Sequence, residues 1–416
     1  MKVLIVSHNC FSTTQNMGKT LMSLFSEFKK EELMQLYFYP SVPNVDVCDS
    51  CYRITDNDAL HSILKRKSCG KEVVAKKTTG VETLFEKAEE AEQYKKINRN
   101  SFFVRRLRDF AWKISAWKSN DLKKWLREGK PDVIFYALGD SAFSQNIAMW
   151  AAKFLGVPLV TYVCDEYYFY YKEIRKFNLG LTSNIKKIIR RSATVVSICD
   201  TLGEAYKNAF GTPYITVMTG SSFAPGTLEK GQKRNQISYI GNLSLNRWKS
   251  LLDISEVIDE INAENSENYS VVYYGSENDN LKGKIKYGGK LDTEGVKKVM
   301  AESLMLVHAE TFDEVYRERL RYSVSTKIAD SLASGTPLLA YGPSELASMQ
   351  HLITNKCAVF ADNKTDLKCK LLKVLFDSEY MSTIGMCAVR TARKLHDSEG
   401  NSAKLYAKLC ELRMRK

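Results

Sequence analysis

A chain of 416 residues, 44% hydrophobic and 26% charged, has apolar material for two ordinary cores and is excluded from the class of disordered tail proteins. Its 61 basic and 48 acidic side chains leave a formal charge of +13, which suits an anionic ligand or surface: a nucleotide diphosphate, a lipid headgroup or nucleic acid. The 10 cysteines form no regular framework, and those in apolar runs (Cys164, Cys199, Cys357) read as small core residues of a reducing compartment. No apolar run approaches the ~20 residues of a spanning helix. Met1 to Ser7 is too short for the core of a signal peptide. Both point to a cytoplasmic protein, at most peripheral at the inner face of a membrane.

Val3 to Val6 has the length of a buried strand, and the polar loop after it leads into a helix near Gly18 with Leu21, Leu24, Phe25 and Phe28 on one side. Gly18-Lys19-Thr20 looks like the end of a P-loop, but Thr13 stands where that motif needs its first glycine, so a P-loop is rejected. Leu36 to Tyr39 is a second strand. Residues 41–100 are less regular, and Lys65 to Asn100 is charge-rich, either a mobile insertion or an exposed helix. Cys48-Asp49-Ser50-Cys51 has metal-like or redox spacing without a second pair nearby. Asp56-Asn57-Asp58 has an Asp-x-Asp spacing that can hold a metal but follows no apolar run, so an exposed turn is the preferred reading.

Phe103, Leu107, Phe110, Ile114 and Trp117 recur at helical spacing among Arg105, Arg106, Arg108, Lys113 and Lys118. Such a helix either lies on an anionic bilayer or packs its stripe on a core and leaves the charges in water; the second reading is preferred. Pro131 to Ala137 is a strand with Gly139-Asp140-Ser141 at its carboxyl end, where open α/β sheets place ligands. A helix to Gly156 and the strand Val157 to Val163 complete a β-α-β unit. Cys164-Asp165-Glu166 follows, and then an aromatic and basic stretch (Tyr167, Tyr168, Tyr170, Tyr171, Lys172) that could wall an acceptor. Strands Ala193–Ile198 and Tyr214–Met218 flank a helix over Thr201–Phe210. Ser221 to Lys233 is rich in Ser, Gly, Pro and Lys, the composition of a linker.

Strand signals resume at Gln236–Asn242, with Ser244, Asn246, Arg247 and Lys249 opening a helix. Val271–Gly275, Lys286–Asp292 and Leu304–Glu310 are further strands, and Glu294–Ala301 is a helix. His308 and Glu310 end a strand. In Lys327–Gly342, preceded by the hydroxyls of Ser323, Ser325 and Thr326, the residues Ile328, Ala329, Leu332 and Ala333 share one helical face. Gly335 closes that helix, Thr336-Pro337 turns the chain, and Leu338–Tyr341 is a buried strand. A helix start carries free N–H groups and a partial positive charge, a natural seat for phosphate, and Lys327 adds a full charge. Ala358–Phe360 is a last strand, followed by helices.

The stretch from Ser323 to Gly342 resembles the late donor-site motif of glycosyltransferase family 4 and its relatives in the GT-B superfamily. Tyr322 stands where the first of that family's two glutamates falls, and Asp330 where the second does. The resemblance implies an α/β chain of GT-B type: two Rossmann-like domains, a cleft between them and a C-terminal helix crossing back. Expected boundaries are 1–220 for the acceptor domain with an insertion about 55–128, 221–235 for the linker, 236–385 for the donor domain and 386–416 for the returning helices, with Leu405 to Leu412 among them.

It also implies roles. Arg247 and Lys327 would hold the diphosphate, with Lys249 second to Arg247, and Asp165 would complete the catalytic set. Asn242, Gly275, Tyr287, Gly288, His308, Glu310, Ser323, Ser325, Thr326 and Asp330 would bind the donor, with Tyr287-Gly288 at the base and Asp330 at the ribose. Asn16, Gly18, Lys19 and Asp140 would face the acceptor. No metal or cofactor is expected, because these cations take the place of magnesium. The expected activity is retaining transfer of a sugar from a nucleotide-diphosphate sugar to a glycan or lipid-linked glycan in surface polysaccharide synthesis. Replacing Lys327 or Arg247 by Ala is expected to abolish transfer with little change in melting temperature. A nucleotide-sugar 2-epimerase and a non-catalytic peripheral membrane or glycan-binding protein remain alternatives. Nucleic acid ranks below both, since the basic residues are dispersed.

Overall fold

The computed structural model describes residues 1–13, 16–65, 69–76, 102–170, 179–229 and 234–414. Most of the charge-rich stretch from Lys65 to Asn100 lies outside these, as do Tyr171, Lys172 and the end of the linker. The chain divides into two compact units, Met1–Val217 with Ser402–Lys416, and Met218–Asn401.

The first unit is built on an eight-stranded sheet in the order β4-β3-β2-β1-β5-β6-β7-β8. Its strands are β1 (Val3–Ser7), β2 (Leu33–Tyr37), β3 (Ser50–Arg53), β4 (Lys71–Val73), β5 (Val133–Ala137), β6 (Leu159–Val163), β7 (Thr194–Ser197) and β8 (Tyr214–Thr216). All pairs are parallel except β3–β4. Every residue of β1, β2, β5 and β6 is buried, as two covered faces require, and these strands are accordingly apolar apart from the buried Ser7, Gln35 and Thr161.

Three expectations change here, and the Cys48–Cys51 spacing is accounted for. The second strand begins at Leu33, paired with Val3, and is over before Phe38 and Tyr39, whose N–H groups both donate to His8 O. Residues 50–53, read as irregular, form the buried strand β3. Cys48 and Cys51 sit in the core around Val3, Ile5 and Tyr37, and burial holds the Cys48 thiol well above its ordinary pKa, against the thiolate that metal or redox chemistry needs. Asp56 and Asp58 open the helix Asp56–Lys65 rather than an exposed turn: Asp58 Oδ2 accepts from Thr55 N at 2.7 Å while Thr55 Oγ1 accepts from Asp58 N at 3.1 Å, a reciprocal cap.

The helix Phe102–Ile114 also faces the other way. It buries Ala111 and Trp112, the latter stacked on Phe143 at 4.0 Å, and turns Leu107, Phe110 and Ile114 outward. Trp117 lies past its end and is buried. In the final helix, Ser398–Met414, Leu405, Leu409 and Leu412 join the first unit's core. Ser402 Oγ donates to Leu24 O at 2.9 Å and accepts from Glu27 N at 3.0 Å, and Tyr406 Oη donates to Glu32 at 2.9 Å.

The second unit has a six-stranded parallel sheet in the order β11-β10-β9-β12-β13-β14. These are β9 (Arg234–Ile240), β10 (Ser270–Tyr274), β11 (Lys286–Tyr287), β12 (Ser303–Ala309), β13 (Leu338–Tyr341) and β14 (Val359–Ala361). Numbered within the unit, the order is 3-2-1-4-5-6, so the winding reverses between β9 and β12, where open α/β sheets leave a crevice. Residues 386–401, expected with the returning helices, belong to this unit because the helix Ser378–Leu395 packs on the turn after Lys327–Ala333: a Cβ on Gly385 would lie 2.5 Å from Gly335 O. His396 fastens the unit's two ends, its Nδ1 donating to Thr219 O at 2.8 Å and its Nε2 lying 2.9 Å from His351 Nε2. Among the described residues no helix is long and apolar enough to cross a membrane.

Candidate functional site

Where the second sheet reverses, the carboxyl ends of β9, β10 and β12 bring several of the expected donor residues together. Gly241 and Gly275 end β9 and β10 back to back. Gly275 has φ +138°, and a Cβ there would lie 2.4 Å from Gly241 O, so only glycine fits. The backbone of both is fixed, with Gly241 N donating to Tyr274 O at 2.9 Å and Gly275 N to Gly289 O at 3.0 Å. Tyr287 Oη donates to Gly275 O at 2.8 Å, and Gly288 N to Tyr273 O at 2.8 Å. A cavity of about 230 Å³ opens here, lined by Gly241, Asn242, Tyr274, Gly275, Ser276 and Lys327 among others. Ser276, Leu291 and Val296 also line it and were missed from the sequence, where nothing in their spacing marks them.

Two cations border this corner. A Cβ on Gly241 would lie 2.6 Å from Lys327 Nζ, so the ammonium stands directly over the glycine. Lys327 as a whole is exposed, with its Nζ close against Gly241. Burial and the Arg247 cation both lower its pKa, and Glu310 offsets them only in part. No described carboxylate pairs with it. Arg247, the first residue of the helix Arg247–Asn265, is held from the other side of the reversal. Its Nε and Nη2 donate to the two oxygens of Glu310 at 2.7 and 3.3 Å. Burial opposes its charge, but Glu310 outweighs that and keeps its pKa above the ordinary value. Both partners are largely buried, with side chains 17% and 4% exposed. Nη1 of Arg247 has no partner among the described residues.

His308 Nε2 is buried without a hydrogen bond, 3.6 Å from Glu310 Oε1. Burial depresses its pKa against the pull of Glu310, so the ring is neutral near pH 7. Lys249 is apart from this set, donating to Asp313 at 3.1 Å from a half-exposed position. Asn242 also shapes its own turn, its O accepting from Tyr239 Oη and its Oδ1 from Ser244 N, each at 2.8 Å.

The helix Lys327–Ala333 starts without the expected hydroxyl cap. Thr326 already has helical torsions and makes no capping bond, and Ser325 Oγ accepts from Lys327 N at a long 3.4 Å. Ser323 N donates to Leu320 O at 2.9 Å. Asp330 Oδ1 accepts from Ser222 N at 2.6 Å and Ser222 Oγ at 3.0 Å, tying the helix to the start of the linker. Tyr322, in place of a carboxylate, lies under Arg321, whose Cζ is 5.5 Å from the ring centre.

In the first unit three of the expected acceptor-side residues, Asn16, Gly18 and Lys19, share the helix Asn16–Leu24, and the fourth, Asp140, sits on a different loop. Gly18 is a packing residue, since a Cβ there would be 2.7 Å from Cys10 O. Lys19 is exposed one residue on; the Asn16 side chain lies outside the described residues. Asp140 precedes the helix Ala142–Leu155, within 3.4 Å of Ser141 Oγ. Asp165 is exposed after β6, with Tyr167 Oη at 3.4 Å. Its neighbour Glu166 is the buried one, accepting from Phe169 N at 2.6 Å and Tyr170 N at 2.8 Å; burial nonetheless raises its pKa. That carboxylate shapes the loop, which the sequence did not disclose. Gly18, Lys19, Asp140 and Asp165 are all absent from the lining of a groove of about 1210 Å³ in this unit, beside Trp112, Phe143 and Asn184.

Residues 255–407 match a family described as glycosyl transferase-like, a span that includes His308, Glu310 and Lys327 but not Arg247. No curated protein matches the sequence. Among solved structures, sucrose-phosphate synthase from Thermosynechococcus elongatus aligns over 100% of both chains with TM-score 0.64 at 10% identity. HepE from Anabaena, in complex with UDP, aligns over 99% of this chain and 100% of its own with TM-score 0.63, also at 10% identity. The trehalose 6-phosphate synthase of Burkholderia multivorans gives TM-score 0.59 over 99% of this chain and 96% of its own, at 10% identity. The chain therefore has the GT-B fold, and the enzyme class that the family match and these neighbours support is glycosyltransferase.

Proposed function

We propose that the protein transfers a sugar from a nucleotide-diphosphate sugar to a hydroxyl acceptor, with the diphosphate held between Lys327 and the outer edge of the Arg247 guanidinium. The observation that carries this reading is the unpaired Lys327 ammonium over Gly241, beside a second cation that lowers its pKa. Two like charges crowded at a sheet reversal each raise the cost of the other, and a dianionic diphosphate relieves both. Breaking the anomeric C–O bond moves negative charge onto that diphosphate, so cations fixed there favour the transition state over the bound substrate. In this role they stand in for a metal.

The base, the sugar and the acceptor follow from weaker support. HepE has been crystallised with UDP and with UDP-glucose, which makes uridine diphosphate the first ligand to try. A glycan or lipid-linked glycan is the acceptor we favour, with Asp165 and Asp140 as its contacts and anomeric configuration retained. The deciding experiment is calorimetric titration with UDP, followed by product analysis with UDP-sugars in chelator. Saturable UDP binding and transfer without added metal support the proposal; absence of UDP binding refutes the assigned site. Tyr322 in place of a carboxylate, with Asp330 engaged by Ser222, favours a second reading, a nucleotide-binding protein without transfer. Binding without turnover on any acceptor would identify it.

A further inference from the structure

Of the eleven large apolar side chains left in water among the described residues, five lie on two adjoining helices. Leu107, Phe110 and Ile114 of Phe102–Ile114 are 69%, 58% and 51% exposed, and Leu60 and Leu64 of Asp56–Lys65 are 45% and 77% exposed. The helices are bound together by Asp56, which accepts from Arg108 Nε and Trp112 Nε1 at 2.8 Å, and by Ser62, whose Oγ accepts from Ala116 N at 3.0 Å. Leu107, Phe110 and Ile114 follow one another by three and four residues and so form a single stripe. The stripe is not a core face turned out by accident, because the inner side of the same helix is already occupied by Ala111 and Trp112.

Charge narrows the choice of partner. Between residues 105 and 118 the sequence has Arg105, Arg106, Arg108, Lys113 and Lys118 against Asp109; with Arg108 committed to Asp56, four cations less one anion leave a net +3. Arg106, Lys113 and Lys118 are exposed. Lysine is depleted from protein–protein interface cores, whereas lysine and arginine flanking bulky aliphatic and aromatic side chains fit the boundary between anionic headgroups and acyl chains. We propose that this face docks on an anionic lipid bilayer, with Leu107, Phe110 and Ile114 entering the interface and Arg106, Lys113 and Lys118 meeting lipid phosphates. The docking surface lies in the first unit and is independent of the sugar-transfer reading.

The test is flotation of the full chain with vesicles of phosphatidylcholine alone and of equal parts phosphatidylcholine and phosphatidylglycerol. The expected result is binding to the mixed vesicles only, weakening as salt rises. Leu107→Ser/Phe110→Ser/Ile114→Ser should lower partitioning by at least about tenfold. Arg106→Gln/Lys113→Gln should lower it on the order of tenfold and flatten the salt dependence. Both variants should keep the wild-type melting temperature and UDP titration, and the charge variant carries the test alone if the triple variant does not fold. Wild-type partitioning by a folded variant, or no binding by wild-type protein, overturns the proposal. So does a wild-type dimer that the triple variant converts to a monomer, which would assign the face to a second copy.

Discussion

Replacing Lys327 and Arg247 separately by alanine should give two different outcomes, although the sequence alone expects the same one. Lys327 has no described ion-pair partner and stands beside another cation, so its removal frees the fold from a repulsion and leaves the melting temperature unchanged or slightly raised. The diphosphate, in contrast, loses one unit charge at close range. At about 4 Å and an effective dielectric near 20 that is about 4 kcal/mol, or roughly 10³-fold in affinity. Arg247→Ala strips the cation from Glu310, whose side chain is 4% exposed. Breaking one partner out of a buried pair costs about 3–5 kcal/mol, which lowers the melting temperature of a unit this size by roughly 6–20 °C. Arg247→Ala/Glu310→Gln should recover most of that stability without recovering affinity. Differential scanning calorimetry and UDP titration read the two effects separately. A Lys327→Ala protein that binds UDP within a few-fold of wild type would refute the diphosphate grip. An Arg247→Ala protein with wild-type melting would refute the stated role of Glu310.

Three further outcomes follow from the geometry. Gly241→Ala places a methyl 2.6 Å from Lys327 Nζ, the movable end of a flexible chain, so UDP affinity should drop while the melting temperature shifts little. Gly275→Ala puts a side chain at φ +138° against a backbone carbonyl that cannot move, which should cost on the order of 2–4 kcal/mol by urea titration. His351 has its pKa lowered to about 3 by burial and by His396, so the unfolded chain takes up a proton near pH 6.5 that the folded state refuses. Stability should therefore be complete above about pH 6.5 and fall by about 1.4 kcal/mol per pH unit below it, down towards pH 3. Denaturant titrations of wild type and His351→Gln at pH 7.5 and 5 should show a smaller loss in the variant, and equal losses would exclude this histidine as the cause.

Much of the framework was legible because it is written in neighbouring residues. Leu338–Tyr341 is the strand its apolar run announced, and Gly335 ends its helix at φ +70° as a residue without a Cβ can. Short elements without such runs were not legible: β3 has four residues, one of them a buried arginine. The helix Phe102–Ile114 shows why periodicity is not enough. Its spacing marks an amphipathic helix, but both sides carry bulky residues, and only the packing of Trp112 on Phe143 decides which side turns inward.

The sequence by itself determined two α/β units, the glycines at their strand ends and the residue types able to meet a diphosphate, since all of these follow from local spacing and chemistry. The tertiary structure decided the pairings. Glu310 holds Arg247 across the sheet reversal and Ser222 occupies Asp330, while Lys249 goes to Asp313 and Lys327 is left without a described partner. The partners lie from 63 to 108 residues apart, and no spacing rule reaches that far, because such contacts exist only once the strands between them have taken their order.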